Sequence, residues 1–73
     1  MGSMLTEDRT MATHCAKKLR AKGHYAEVIK HNGGFTHWAV WVKTGPGGND
    51  GYYADLPEAF KGNAVKSTDI HQV

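Results

Sequence analysis

Asn32-Gly33-Gly34 stands between two runs of β-branched and aromatic residues, and no other feature limits the fold of this chain as strongly. Asparagine and glycine tolerate the positive φ that a tight reversal demands, so Asn-Gly between apolar runs predicts a β-hairpin. His24 to Lys43, HYAEVIKHNGGFTHWAVWVK, therefore reads as two strands. This stretch holds both tryptophans and three of the five histidines, so any core and any site must be built on it. With Asn32, Gly33 and Gly34 as a three-residue loop, His31 faces Phe35, Val28 faces Trp38 and Ala26 faces Val40. One face then carries Ala26, Val28, Trp38, Val40 and Val42, which is a core. The other carries Tyr25, Glu27, Ile29, Phe35, His37, Trp41 and Lys43, more aromatic than a half-solvated sheet requires.

A helix is expected before the hairpin. Thr6 is its expected N-cap, Glu7 and Asp8 fill the first turn, and Gly23 supplies the stop after about Lys22. Met11, Ala12, Cys15, Ala16 and Leu19 recur on one side of it, and the small residues among them let it lie close to a sheet. Lys17, Lys18, Arg20 and Lys22 crowd its last turns. They could grip phosphate, and they equally suit a solvated helix end stabilised by its dipole. After the hairpin, Thr44 to Gly51 reads as a glycine-rich connection. It lacks the GK[ST] ending and following helix of a phosphate-binding loop. Tyr52 to Leu56 reads as a third strand and Pro57 to Lys61 as one helical turn.

The expected architecture is α+β, with an N-terminal helix on the Trp38 face of a three-stranded antiparallel sheet in the order α-β-β-β. Residues 4–62 are expected to form one domain, and 63–73 a loosely ordered tail or an edge strand anchored by Val65, Ile70 and Val73. Met1-Gly2-Ser3 reads as a cloning remnant before Met4. At 73 residues the core is small enough for self-association to matter. No run approaches the length of a membrane span. A single cysteine excludes an internal disulfide framework, so a soluble cytoplasmic protein is expected. A net charge of +2 does not by itself imply nucleic acid.

The histidines lack the paired spacing of a metal site, and no metal or cofactor is expected. His31 and His37 could meet across the hairpin without a third ligand, while His24 and His71 read as surface residues. Cys15, His37 and Asp55 supply a thiol, a base and a group to orient the base. Around them, LRAKGHYAEV (Leu19 to Val28), HWAV (His37 to Val40) and YADLP (Tyr53 to Pro57) resemble the helix end, histidine strand and aspartate strand of the papain-like and transglutaminase-like cysteine enzymes. That resemblance implies Cys15, His37 and Asp55 as catalytic residues, or a reduced relative. The family's nucleophile opens the helix, near Asp8 here, whereas Cys15 lies roughly 10 Å further along at 1.5 Å per residue. Cys15 also falls in the apolar stripe, where a thiol is simply a small hydrophobe.

The outer face of the hairpin offers a different chemistry. Tyr25, Phe35, Trp41 and either Tyr52 or Tyr53 present flat surfaces, with Lys30, Lys43 and His37 nearby, a combination that suits single-stranded RNA. A short helix, three strands and a histidine opening the second strand also resemble the HicA toxin family, small RNA-cleaving proteins. The resemblance implies His37 as the catalytic residue, although Gly34-Phe35-Thr36-His37 replaces that family's glycine-serine-histidine run. Exposed aromatics on a small domain also mark protein interfaces. The expected function is therefore a binding module using Tyr25, Phe35, His37, Trp41 and Lys43 for a protein partner or self-association. RNA binding, and enzyme activity through Cys15 and His37 or His37 alone, are the alternatives.

Overall fold

The computed structural model describes residues 4–33, 35–47 and 50–68, in the order α1 (Arg9–Ala21), β1 (Tyr25–Gly33), β2 (Phe35–Lys43), β3 (Gly51–Tyr53) and α2 (Leu56–Phe60). The expected cloning remnant, the loop residue Gly34 and the anchors Ile70 and Val73 lie outside the described residues, as does His71. The strands form an antiparallel sheet in the order β1-β2-β3. This is the expected α+β arrangement, and among the described residues no helix is long and apolar enough to cross a membrane.

α1 begins two residues later than a Thr6 cap would place it. Asp8 is the N-cap, and its Oδ1 accepts from the Thr10 N–H at 2.9 Å and the Met11 N–H at 3.3 Å. Thr6 instead joins the sheet: its N–H donates to the Trp38 carbonyl at 2.9 Å, and the Trp38 N–H donates back at 2.7 Å. Its Oγ1 accepts from the Asp8 N–H at 3.0 Å, which leads the chain into the cap. At the other end Gly23 takes φ +92° and lets the chain reverse into β1.

The hairpin pairs further toward its tip than a three-residue loop allows. His31 lies opposite His37, Val28 opposite Val40 and Gly33 opposite Phe35. The shift from the expected register is two residues, an even number, so every side chain keeps its expected face. Ala26, Val40 and Val42 meet Ala12, Cys15, Ala16 and Leu19 of α1 in the core, with Val28 and Trp38 packed against its margin. Ala54, Leu56 and Ala59 close it from the α2 side. Alanine makes up five of these ten core residues, so the helices approach the sheet closely but bury little apolar area.

β3 is shorter than expected. Asp55 does not end a strand; it N-caps α2, with Oδ2 accepting from the Glu58 N–H at 3.3 Å. The beginning of the tail is held in place. The Asp55 N–H donates to the Val65 carbonyl and the Ser67 N–H to the Tyr53 carbonyl, each at 2.8 Å, forming an antiparallel bridge at Ala54 and Lys66.

Candidate functional site

Both helices lie on the even-numbered face of the hairpin, so among the described residues its odd-numbered face carries no helix. Side chains alternate along β1 and β2, so Tyr25, Glu27, Ile29 and His31 share this outer face with Phe35, His37, Ala39, Trp41 and Lys43. β3 adds Gly51 and Tyr53, since Trp41 pairs with Tyr53 and Lys43 with Gly51. Tyr52, left open beside Tyr53 by the sequence, turns inward to the margin of the core.

The aromatic groups pack on one another. Trp41 and Tyr53 meet edge to face with ring centroids 4.9 Å apart, a favoured aromatic geometry. Tyr53 also approaches His31, at 5.6 Å. Ala39, two residues before Trp41 on the same face, is fully buried but outside the core cluster. Gly51 is required: a Cβ there would collide with the Val42 carbonyl oxygen and lie 2.8 Å from the Trp41 indole. Toward the hairpin tip, Phe35 meets His37 edge-on at 6.5 Å and remains 74% exposed. Tyr25, at the far end, is 48% exposed. The site is thus a half-buried aromatic centre, Trp41 and Tyr53, between two exposed rings.

Charges on this face are paired. The Lys43 ammonium lies 2.9 Å from Glu27 Oε1. His37 Nε2 lies 3.8 Å from Glu7 Oε1. Glu7 reaches His37 because Thr6 bridges to Trp38, a long-range contact; the sequence offered Asp55 as the partner instead. Lys30, grouped with this face by proximity in sequence, points the other way, with its ammonium 5.9 Å from the Trp38 ring centroid.

The structure does not bring Cys15, His37 and Asp55 together. Cys15 is fully buried on α1 beneath the inner face, and its Sγ–H donates to the Leu56 carbonyl at 3.6 Å. Burial raises the pKa of the thiol, which is the wrong direction for a nucleophile. His37 is on the opposite face of the sheet. Asp55 cannot pair across from it, because the chain enters α2 after Ala54 and Thr6 takes the adjoining edge of β2. His31 and His37 do face one another, but among the described residues no three His, Cys, Asp or Glu side chains are grouped to hold a metal.

No family model, curated protein or solved structure matches this chain. Its function must be argued from its own side chains.

Proposed function

We propose that this protein is a small binding module that docks a protein surface on the outer face of its sheet, and that a second copy of the chain is one such surface. The observation that carries this reading is the composition of the face: Tyr25, Phe35, Trp41 and Tyr53 share it, and among the described residues no helix lies over it. Large aromatics supply much of the contact energy at protein interfaces, and a patch of this kind is rarely left in water. Electrostatics favours protein over RNA here. Lys43 and His37 already have the carboxylates of Glu27 and Glu7 beside them, so the face offers little net positive charge to phosphate.

Self-association suits the energetics as well. Half of the core cluster is alanine, and small domains with little buried apolar area commonly gain stability from oligomerisation. With its charges internally paired, the face can meet a copy of itself without repulsion. Sedimentation over a range of concentrations tests this. The wild type is expected to associate, whereas Phe35→Glu, which alters an exposed ring, is expected to stay monomeric with an unchanged circular dichroism spectrum. A wild type that remains monomeric, and whose contacts with other proteins are unaffected by Phe35→Glu, would remove the reading.

A further inference from the structure

The cations of this chain are segregated. Five lysines and arginines, and no carboxylate, occur from Arg9 to Ala26. α1 divides them between its two flanks. Arg9, Thr13, Lys17 and Arg20 follow the spacing i, i+4, i+8, i+11, which is a straight stripe along one side of a helix. The stripe spans about 16 Å at 1.5 Å per residue. Its direction relative to the sheet is fixed at both ends. Arg20 Nε–H donates to the Ala26 carbonyl at 2.8 Å, at the start of β1. The Arg9 guanidinium lies 5.2 Å from the ring centroid of Trp38, which pairs with Lys30 near the other end of β1. The stripe therefore runs antiparallel to β1, from the start of β1 at its Arg20 end to Trp38 of the middle strand at its Arg9 end.

Two features distinguish this flank from an ordinary solvated helix. First, Arg9 and Lys30 both lie over one indole, 5.2 Å and 5.9 Å from its centroid, which adds a strand cation to those of the helix. Second, nothing neutralises them: among the described residues Arg9, Lys17, Arg20 and Lys30 have no carboxylate within 4.0 Å. Of the acids nearest in sequence, Asp8 is engaged in capping α1 and Glu27 is held by Lys43. Arg9, Thr10, Thr13, His14 and Lys17 line a shallow depression of about 440 Å³, a wall of cations, hydroxyls and an imidazole with no acidic member. Arg20 spends one of its five donors on Ala26 and keeps the others.

We infer that this flank of α1, with Lys30 of β1, is a binding surface for the sugar–phosphate backbone of a nucleic acid. Aligned unpaired cations with interleaved hydroxyls match phosphates in a row, and the contacts are independent of base sequence. A membrane surface fits less well, because lipid binding needs exposed apolar side chains beside the cations. Among the exposed large apolar residues Phe60 packs on His14, with ring centroids 4.6 Å apart, and Tyr25 shares a hollow with Arg20; these are single rings at separate points, not the continuous apolar face with which a helix enters lipid. The stripe meets the aromatic face at its Arg20 end, where Arg20 lines one hollow with Tyr25, Glu27 and Lys43, and Arg9, Lys17 and Lys30 remain for a nucleic acid while the sheet holds a protein.

Fluorescence anisotropy with a labelled single-stranded RNA and the corresponding duplex tests the inference on the whole chain. Either probe should bind, and with four phosphates neutralised log affinity should fall against log salt with a slope of about −3. Lys17→Gln, which removes no structural partner, should weaken binding roughly tenfold and reduce the slope by about 1. Lys61→Gln, off the stripe and beside Glu58, should change neither quantity, and nor should Phe35→Glu. Absence of salt-dependent binding to both probes would overturn the proposal. So would equal losses for Lys17→Gln and Lys61→Gln, or equally tight binding of polyglutamate or anionic vesicles at the same salt concentration.

Discussion

The two faces of one hairpin have been put to opposite uses, although their sequences interleave residue by residue. On the inner face, small and branched residues pack under α1, with complete burial at Val40 of the sheet and at Cys15 and Leu19 of the helix. On the outer face, larger rings remain half-buried or exposed. The valines of the inner face, set against Glu27, His31, His37 and Lys43 on the outer one, already mark the core side. Fit agrees: alanine, valine and cysteine let a helix approach the sheet, whereas Phe35, Trp41 and Tyr53 hold one away and present contact area to something else.

The largest effect should come from the inner face. Leu19→Ala empties the middle of the core and should cost about 3 kcal/mol in urea unfolding, by the usual range for buried leucines. A loss below about 1 kcal/mol would mean that Leu19 lies outside the core. Next comes the one point at which the outer face is structurally demanding. Gly51→Ala forces a methyl group against the Val42 carbonyl and the Trp41 indole, and should destabilise by about 2 kcal/mol while altering tryptophan fluorescence. Asp8→Ala removes the cap of α1 and should cost about 1 kcal/mol, with Asp8→Asn recovering most of it.

Cys15 sharpens the contrast through pH. Burial raises its pKa above the 9.0 of a free thiol. Between that value and the higher folded-state value, unfolded chains lose the proton and folded chains keep it, so stability falls as pH rises through this window. Below it the thiol contributes no pH dependence. Unfolding free energy measured against pH should therefore decline more steeply above about pH 9 in the wild type than in Cys15→Ala. Alkylation should be silent until the chain unfolds; rapid reaction of the native thiol near neutral pH would place Cys15 at the surface. The smallest stability effect belongs to Phe35→Ala, which should change unfolding by no more than about 0.5 kcal/mol, as surface substitutions do.

Much of this arrangement is legible in the sequence because strand alternation has a period of two. The expected register was displaced by two residues, which moved His31 from Phe35 to His37 without moving any side chain to the other face. The burial of Cys15 was legible for a similar reason, since it falls within a helical apolar stripe. Local signals were misread where two mechanisms compete for the same residue types. Thr6 has the chemistry of an N-cap, but a bridge to Trp38, far away in sequence, claims its backbone and leaves the cap to Asp8. Asp55-Leu56-Pro57-Glu58 carries the Asp-x-x-Glu pattern of a helix start, and reading it as such would have removed Asp55 from the catalytic set. Glu7 beside His37, and the shared approach of Arg9 and Lys30 to Trp38, depend on tertiary contacts that no local pattern announces.

The separation of a closed inner face from an open docking face is tested most directly by residue-resolved amide chemical shifts recorded as protein concentration is raised. The account predicts shifts concentrated at Tyr25, Glu27, Phe35, His37, Trp41 and Tyr53, absent from α1, and abolished in Phe35→Glu. Shifts clustered on α1 or α2 with the β2 amides unmoved would contradict it, because the surface in use would then be the one that the helices already cover.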